Sequence, residues 1–275
     1  MQALFTLTPS ESKRLIAKAV TSMPEVIKAK KEGYLIVARG STSAYIAEEL
    51  IGETLEKEKY VAGQIIRGVL CALHAGIRSQ PIAFHKGAVL TVDPGTLIDK
   101  LGPHDIVIKG GNAVDYQGKV GVLMASPVGG TMGQFYMAMK AQGIRTIYAI
   151  GLEKLIPSVE KAAKAGGRLK LERTIGAHVG LACVADGEAF TEINALCSLF
   201  SVGAVHYASG GFGGAEGSVT IIVEGEPGEV NKCLDFIETI KGEPPLSALK
   251  GPCKTCGTLC SFQGMEEDVL PPYLR

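Results

Sequence analysis

The chain has no excess of either charge: 28 lysines and arginines stand against 28 aspartates and glutamates in 275 residues. That balance argues against a nucleic-acid-binding surface or a polybasic membrane patch. No apolar run approaches the roughly 18 residues that a membrane-spanning helix needs. The opening MQALFTLTPSESKR lacks the basic-then-apolar pattern of a signal peptide. Tryptophan is absent. Cysteines number seven, an odd count, and four of them are scattered through apolar segments. Reduced thiols in a cytoplasmic protein explain this better than a disulfide framework. What the chain has instead is glycine, 35 residues, and an apolar content of 46%. A core is therefore available, and many glycine turns fit an α/β protein with several ligand loops. The length exceeds most single small cores and predicts two domains.

The stretch Asp105–Gly151 organises the rest. It reads as strand Asp105–Ile108, turn Lys109-Gly110-Gly111-Asn112, strand Val120–Ala125, loop Pro127–Gly133, helix Gln134–Ala141 and strand Ile144–Ile150. Short, wholly apolar runs with glycine at their C-terminal ends are the pattern of buried parallel strands. Ligands of open α/β sheets sit at those ends. Glycine lets backbone N–H groups approach an anion, and a helix N-terminus adds partial positive charge.

Before this stretch, Thr8-Pro9-Ser10-Glu11 predicts a capped helix start, and Ser22-Met23-Pro24-Glu25 predicts a second helix to Lys31. Tyr34–Ala38 reads as a strand. It runs through Arg39-Gly40-Ser41-Thr42-Ser43 into a helix, Ala44–Ile51. The three hydroxyls can cap that helix or hold a phosphate beside Arg39. Tyr60–Ala72 and Ala88–Val92 read as strands, with a short helix to Lys100. After it come a helix near Pro157–Lys164, strand His178–Ala185, helix Phe190–Phe200, strands Ala204–Ala208 and Ser218–Val223, and a helix over 230–240. The order β-α-β-β-α is most of a ferredoxin-like module. The glycine-rich loop Ser209–Gly217 is a mobile lid or a long hairpin tip. The expected organisation is a Rossmann-like parallel-sheet domain (1–168), a ferredoxin-like α+β domain (169–245) and a cysteine-containing tail (246–275).

That tail carries Cys253, Cys256 and Cys260 as C-x2-C-x3-C. Thiolates so close together can ligate zinc or an iron–sulfur cluster, and either usually takes four ligands. The fourth could come from Cys71, Cys183, Cys197, Cys233, a histidine or a partner chain. Thiol–disulfide redox and inert thiols are the alternatives.

Two motifs resemble the superfamily of glucosamine-phosphate isomerase/deaminases, type A ribose-5-phosphate isomerases and CoA transferases. VARGSTSAYIAEEL is similar to its phosphate loop V-G-x-G-T-G-S-T, and DIVIKGGNAVD to its D-x-A-I-D-G-A-D-E-V-D. GTMGQFYMAMKAQGIRTIYAIG resembles the methylthioribose-phosphate isomerase branch. A ferredoxin-like domain after the sheet is a further similarity. The resemblance spans about residues 8–240 in architecture. It implies a small phosphorylated ligand, a sugar phosphate or a CoA- or nucleotide-like molecule. The ligand would be held by Arg39, Gly40, Ser41, Thr42, Ser43, Gly110, Gly111, Gly129, Gly130 and Thr131. Where the family has acids, this chain has Lys109, Asn112 and Ala113, and Asp115 alone remains. Enediol chemistry needs a carboxylate base and electrophilic help. Lys109, Asn112 and Asp115 are thus the candidates for the reactive end of isomerase-like or CoA-transferase-like chemistry. The covalent glutamate of CoA transferases has only Glu153 as a counterpart, with no motif around it. The rival readings are a non-catalytic ligand sensor and a zinc or iron–sulfur protein acting through its tail. A second copy of the chain is the expected protein partner.

Overall fold

A computed structural model describes residues 1–90 and 93–275. It opens with a strand that no sequence signal announced, β1 (Gln2–Leu7), followed by α1 (Pro9–Ser22) and α2 (Pro24–Glu32). α1 starts as expected. Thr8 Oγ1 accepts the Glu11 amide, the Glu11 carboxylate accepts the Thr8 amide, and Pro9 fills the first turn. α2 does not repeat this. Its N-cap is Met23, without a side-chain cap, because Ser22 Oγ donates back to the Ala19 carbonyl at 2.8 Å.

Strand β2 (Tyr34–Val37) and helix α3 (Ser41–Ile51) follow. The stretch 60–72, expected as one strand, is a hairpin of β3 (Gly63–Ile66) and β4 (Val69–Ala72). Arg67 (φ 48°) and Gly68 (φ 74°) turn it, and paired positive φ values match the twist of a hairpin. Lys86 and Gly87 do the same between β5 (Ile82–His85), which the sequence pattern missed, and β6 (Ala88–Leu90). The last two residues of the strand expected at 88–92 lie outside the described residues. A 3-10 turn spans Pro94–Lys100. Next come β7 (Ile106–Gly110), β8 (Ala113–Val114), β9 (Val120–Met124), α4 (Gly130–Gln142) and β10 (Arg145–Ala149). The remaining elements are α5 (Val159–Ala165), β11 (Gly180–Val184), β12 (Glu188–Phe190), α6 (Glu192–Leu199), β13 (Val202–Gly210), β14 (Ser218–Gly225) and α7 (Pro227–Ile240).

The main sheet has the order β12-β10-β7-β2-β5-β6. Its first four strands are parallel, β5 runs antiparallel to β2, and β6 antiparallel to β5. The fold is therefore α/β with a mixed sheet. Two strands depart from expectation. β9 does not lie beside β7 as a parallel strand. It pairs antiparallel with β8 and β11 in a separate sheet. The cause is local: Asp115 Oδ1 accepts the amides of Gln117 and Lys119, both at 3.1 Å, and Gly118 at φ 77° completes a tight return. β11, expected beside β13 and β14, is thereby taken. β1 supplies the third strand of that antiparallel sheet, in the order β1-β14-β13.

One core lies between the main sheet, α1 and α3. It contains Leu35, Val37, Ile106, Ile108 and Ile147, and continues through Val219, Ile221 and Val223 of β14 to Val230 and Ile237 of α7. Residues on both sides of position 169 share it. On the opposite face, Ile36 and Val107 pack against Leu97, Ile98, Phe135 and Met139. Strand side chains alternate between faces, and burial on both faces explains why β2 and β7 read as continuous apolar runs. Among the described residues, no helix is long and apolar enough to cross a membrane.

Candidate functional site

β2 and β7 are parallel neighbours, and the Ala38 amide donates to the Ile108 carbonyl at 2.8 Å where β2 ends. On the α4 side of these strand ends lies a cavity of about 190 Å³. Its apolar wall is Ile36, Val107, Met132, Phe135 and Met139, and its polar lining is Arg39, Gln80, Asp93, Lys109, Thr131 and Gln134. Val107 and Lys109 share this face because they are two residues apart on β7. Lys109 is 8% exposed, and burial pushes its ammonium down to about 8. The Arg39 guanidinium donates through Nε to the Ser79 carbonyl at 2.7 Å and through Nη2 to Gln80 Oε1 at 3.1 Å. Burial lowers its pKa, against the opposing pull of Tyr60 and Asp93. Asp93 itself accepts the Gly95 amide at 2.9 Å.

The first turn of α4 closes the cavity. Gly129 (φ 75°) is its N-cap, Gly130 (φ 56°) follows, and no side chain caps the free amides. A Cβ on Gly133 would lie 1.7 Å from the Val128 carbonyl oxygen, so only glycine lets the chain enter the helix this way. The helix thus presents uncapped N–H groups beside two cationic side chains, an arrangement suited to an anion.

The other expected residues lie elsewhere. Gly40 and Gly110 meet across the strand ends: a Cβ on Gly40 would lie 3.7 Å from the Gly110 amide nitrogen. Ser41 is half-buried, whereas Thr42 and Ser43 are buried with hydroxyls that make no hydrogen bond. They belong to α3, on the sheet face opposite α4. Gly111 packs closely, since a Cβ there would meet Val120 and Ile150 at 2.6 and 2.7 Å. Asn112 is exposed, and its Oδ1 accepts the Leu123 amide at 3.0 Å. Asp115 is buried and accepts three amides, the third from Val159 at 3.0 Å. Of the three candidates for the reactive end, Lys109 alone lines the cavity.

Sequence reasoning missed a buried charged group past the ends of β10 and β12. Glu192 has no exposed surface, and its carboxylate accepts the Leu152 amide. Glu153 lies 3.6 Å from Lys13 Nζ and 3.3 Å from Lys154 Nζ. Lys13 also donates to the Pro9 carbonyl at 2.9 Å. Gly217, at the end of the glycine-rich loop, packs over Pro9 and Glu153. The available signals were Glu153 just after Gly151 and a glutamate at the first position of α6.

The tail is not loose. Leu270 and Leu274 are fully buried against Val69 of β4. The His178 amide donates to the Leu259 carbonyl at 2.9 Å, and the Ser261 amide to the Gly176 carbonyl at 3.2 Å. These contacts bring Cys253, Cys256 and Cys260 to a second cavity, of about 410 Å³, that Cys71 also lines. All four are free thiols and half-buried. Burial pushes the Cys71 thiol up to about 11, and the three tail thiols add to the effect. Cys183, Cys197 and Cys233 do not line this cavity. Among the described residues, no three His, Cys, Asp or Glu side chains group as a single metal ion would need.

No family model, curated protein or solved structure matches the chain.

Proposed function

We propose that the protein binds a small phosphorylated metabolite, with the phosphate or another anionic group held between Arg39, Lys109 and the N-terminus of α4. One observation carries this reading: Lys109 is a buried amine with no ion pair among the described residues, and it shares a cavity with a second cation, Arg39, with uncapped helix amides and with a single carboxylate, Asp93, that faces Arg39. Burying an unpaired cation is costly, so the site gains most from an anion that supplies the missing charge. The cavity of about 190 Å³ suits the head of a sugar phosphate or one end of a CoA- or nucleotide-like molecule. A lysine held near 8 can also polarise a carbonyl, which is the isomerase-like part of the proposal. The finer fold reading goes with it. β2, β7, β10 and β12 with α3 and α4 form the Rossmann-like part. The sheet of β13 and β14 with α6 and α7 is the ferredoxin-like part, completed by β1. The likeness to the sugar-phosphate isomerase and CoA transferase superfamily belongs to this proposal.

Asn112 and Asp115 are committed to backbone amides, and this favours a second reading, a ligand-sensing protein without turnover. Calorimetric titration of a panel of sugar phosphates and CoA esters tests both. Lys109→Met and Arg39→Met should each weaken the best phosphorylated ligand at least about tenfold, the equivalent of roughly 1.4 kcal/mol. Unchanged affinity in Lys109→Met would sink the site. Binding without chemical change across the panel would select the sensor.

A further inference from the structure

The three tail cysteines and Cys71 come from distant segments of the chain, yet they line one cavity. Cys71 sits on β4, and the tail reaches it because Leu270 and Leu274 dock on Val69, two residues before it. Gly251 presses the incoming tail against His74, where a Cβ would lie 2.7 Å from the His74 Cβ. This packing turns three closely spaced thiols into a set of four.

The set does not have the shape for one ion. Zinc bound at about 2.3 Å to each thiolate draws the sulfurs to roughly 4 Å from one another. Here the four thiols line a cavity of about 410 Å³, and among the described residues no three of them group as one ion would need. A cubane takes one thiolate at each of four separated corners. In two-cluster ferredoxins each cubane likewise takes three cysteines from a short run and one from a distant segment. A cubane with four thiolates carries net negative charge. Arg78 and His74 line the same cavity, and among the described residues the Arg78 guanidinium donates through Nε alone, to the Leu73 carbonyl at 2.6 Å. Lys250 lines the cavity as well, but it is paired with Glu267.

We propose that Cys71, Cys253, Cys256 and Cys260 ligate a [4Fe–4S] cluster in this cavity. On loading, each thiol gives its proton to solvent and each sulfur forms one bond to one iron, with two ferrous ions, two ferric ions and four sulfides as the co-reactants, so that no iron changes oxidation state. The site is separate from Lys109, so iron uptake and phosphate-ligand binding fail or succeed independently.

The test is anaerobic reconstitution of the full chain with equal ferrous and ferric iron and sulfide, followed by iron and sulfide analysis and a visible spectrum. About four irons and four sulfides per chain are expected, with a broad band near ~400 nm that dithionite bleaches. Cys71→Ser leaves the tail motif intact and should lose the band, while Cys197→Ser, on the exposed side of α6, should keep it. Alkylation followed by mass spectrometry needs no variant: the four ligands should be protected in the loaded protein, and Cys197 should react. One zinc per chain with no sulfide-bound iron would overturn the proposal. So would a full complement of iron in Cys71→Ser, or equal alkylation of the four thiols with and without iron.

Discussion

Both carboxylate oxygens of Glu192 accept the Leu152 amide, at 3.2 and 2.9 Å, in a position without exposed surface. The carboxyl is pushed up to about 7 from the ordinary 4.5, first by burial and then by the neighbouring Glu153. A raised folded value means that the folded state holds this proton more tightly than the unfolded chain. The resulting stability is complete below about pH 4.5 and is lost as pH rises through about 7. Glu192→Gln removes the titration and keeps an acceptor for Leu152. Between those pH values the wild type should lose up to about 3 kcal/mol relative to the variant, read from urea midpoints. A constant difference across the range would contradict this.

Asp115 should prove structural. Its three amide partners lie at 3.0 to 3.1 Å, two in its own turn and one opening α5. Asp115→Ala strands buried donors and should cost about 3 kcal/mol or more, and Asp115→Asn less. Neither change should alter affinity at the Lys109 cavity once the protein is folded, because Asp115 does not line it. Thermal melts beside ligand titration separate the two effects.

Two glycines should respond in opposite directions. Gly133→Ala sets a Cβ against the Val128 carbonyl and must displace the start of α4. It should lower the melting temperature and weaken anion binding together. Gly228 sits in the first turn of α7 with nothing within 4 Å of its Cβ position. Gly228→Ala should therefore raise stability, by up to about 1 kcal/mol. Calorimetric melts of the two variants check the pair.

Thr42 offers a test of the hydroxyl loop. Its Oγ1 is buried without a partner. Thr42→Val keeps the shape and removes the unsatisfied group, so it should be neutral or stabilising by about 1 kcal/mol in the ligand-free protein. A loss of stability would mean that the hydroxyl has a hydrogen-bond partner in solution. A loss of ligand affinity alone would extend the site to this side of the sheet.

The parts legible in the sequence are those written in local chemistry. The capping box of Thr8 and Glu11 marked α1, and the apolar runs 105–108 and 144–150 marked two parallel strands, β7 and β10, with ligand loops expected at their ends. Lys109 and Arg39 followed from their places at strand ends. Partnerships between distant segments were not legible. β1 carries no turn signal that points to β14, and β9 has the same apolar pattern whether it pairs with β7 or returns on β8. Cys71 was one of several candidates for the fourth thiol, because chain position alone does not show which apolar hairpin a tail will dock on. Glu192 has the local pattern of an ordinary first-turn acid, and its burial depends on packing that the pattern does not encode.

The pairing of β1 with β14 also sets an order on synthesis. Residues 2–7 leave the ribosome long before their partners at 219–224. Leu7 contributes to the shared core, so one wall of that core stays open while most of the chain is already made. Contacts of such separation form late and slow folding. A nascent chain halted before β14 would therefore hold a strand without a neighbour, and that is the species to which a holding chaperone would bind.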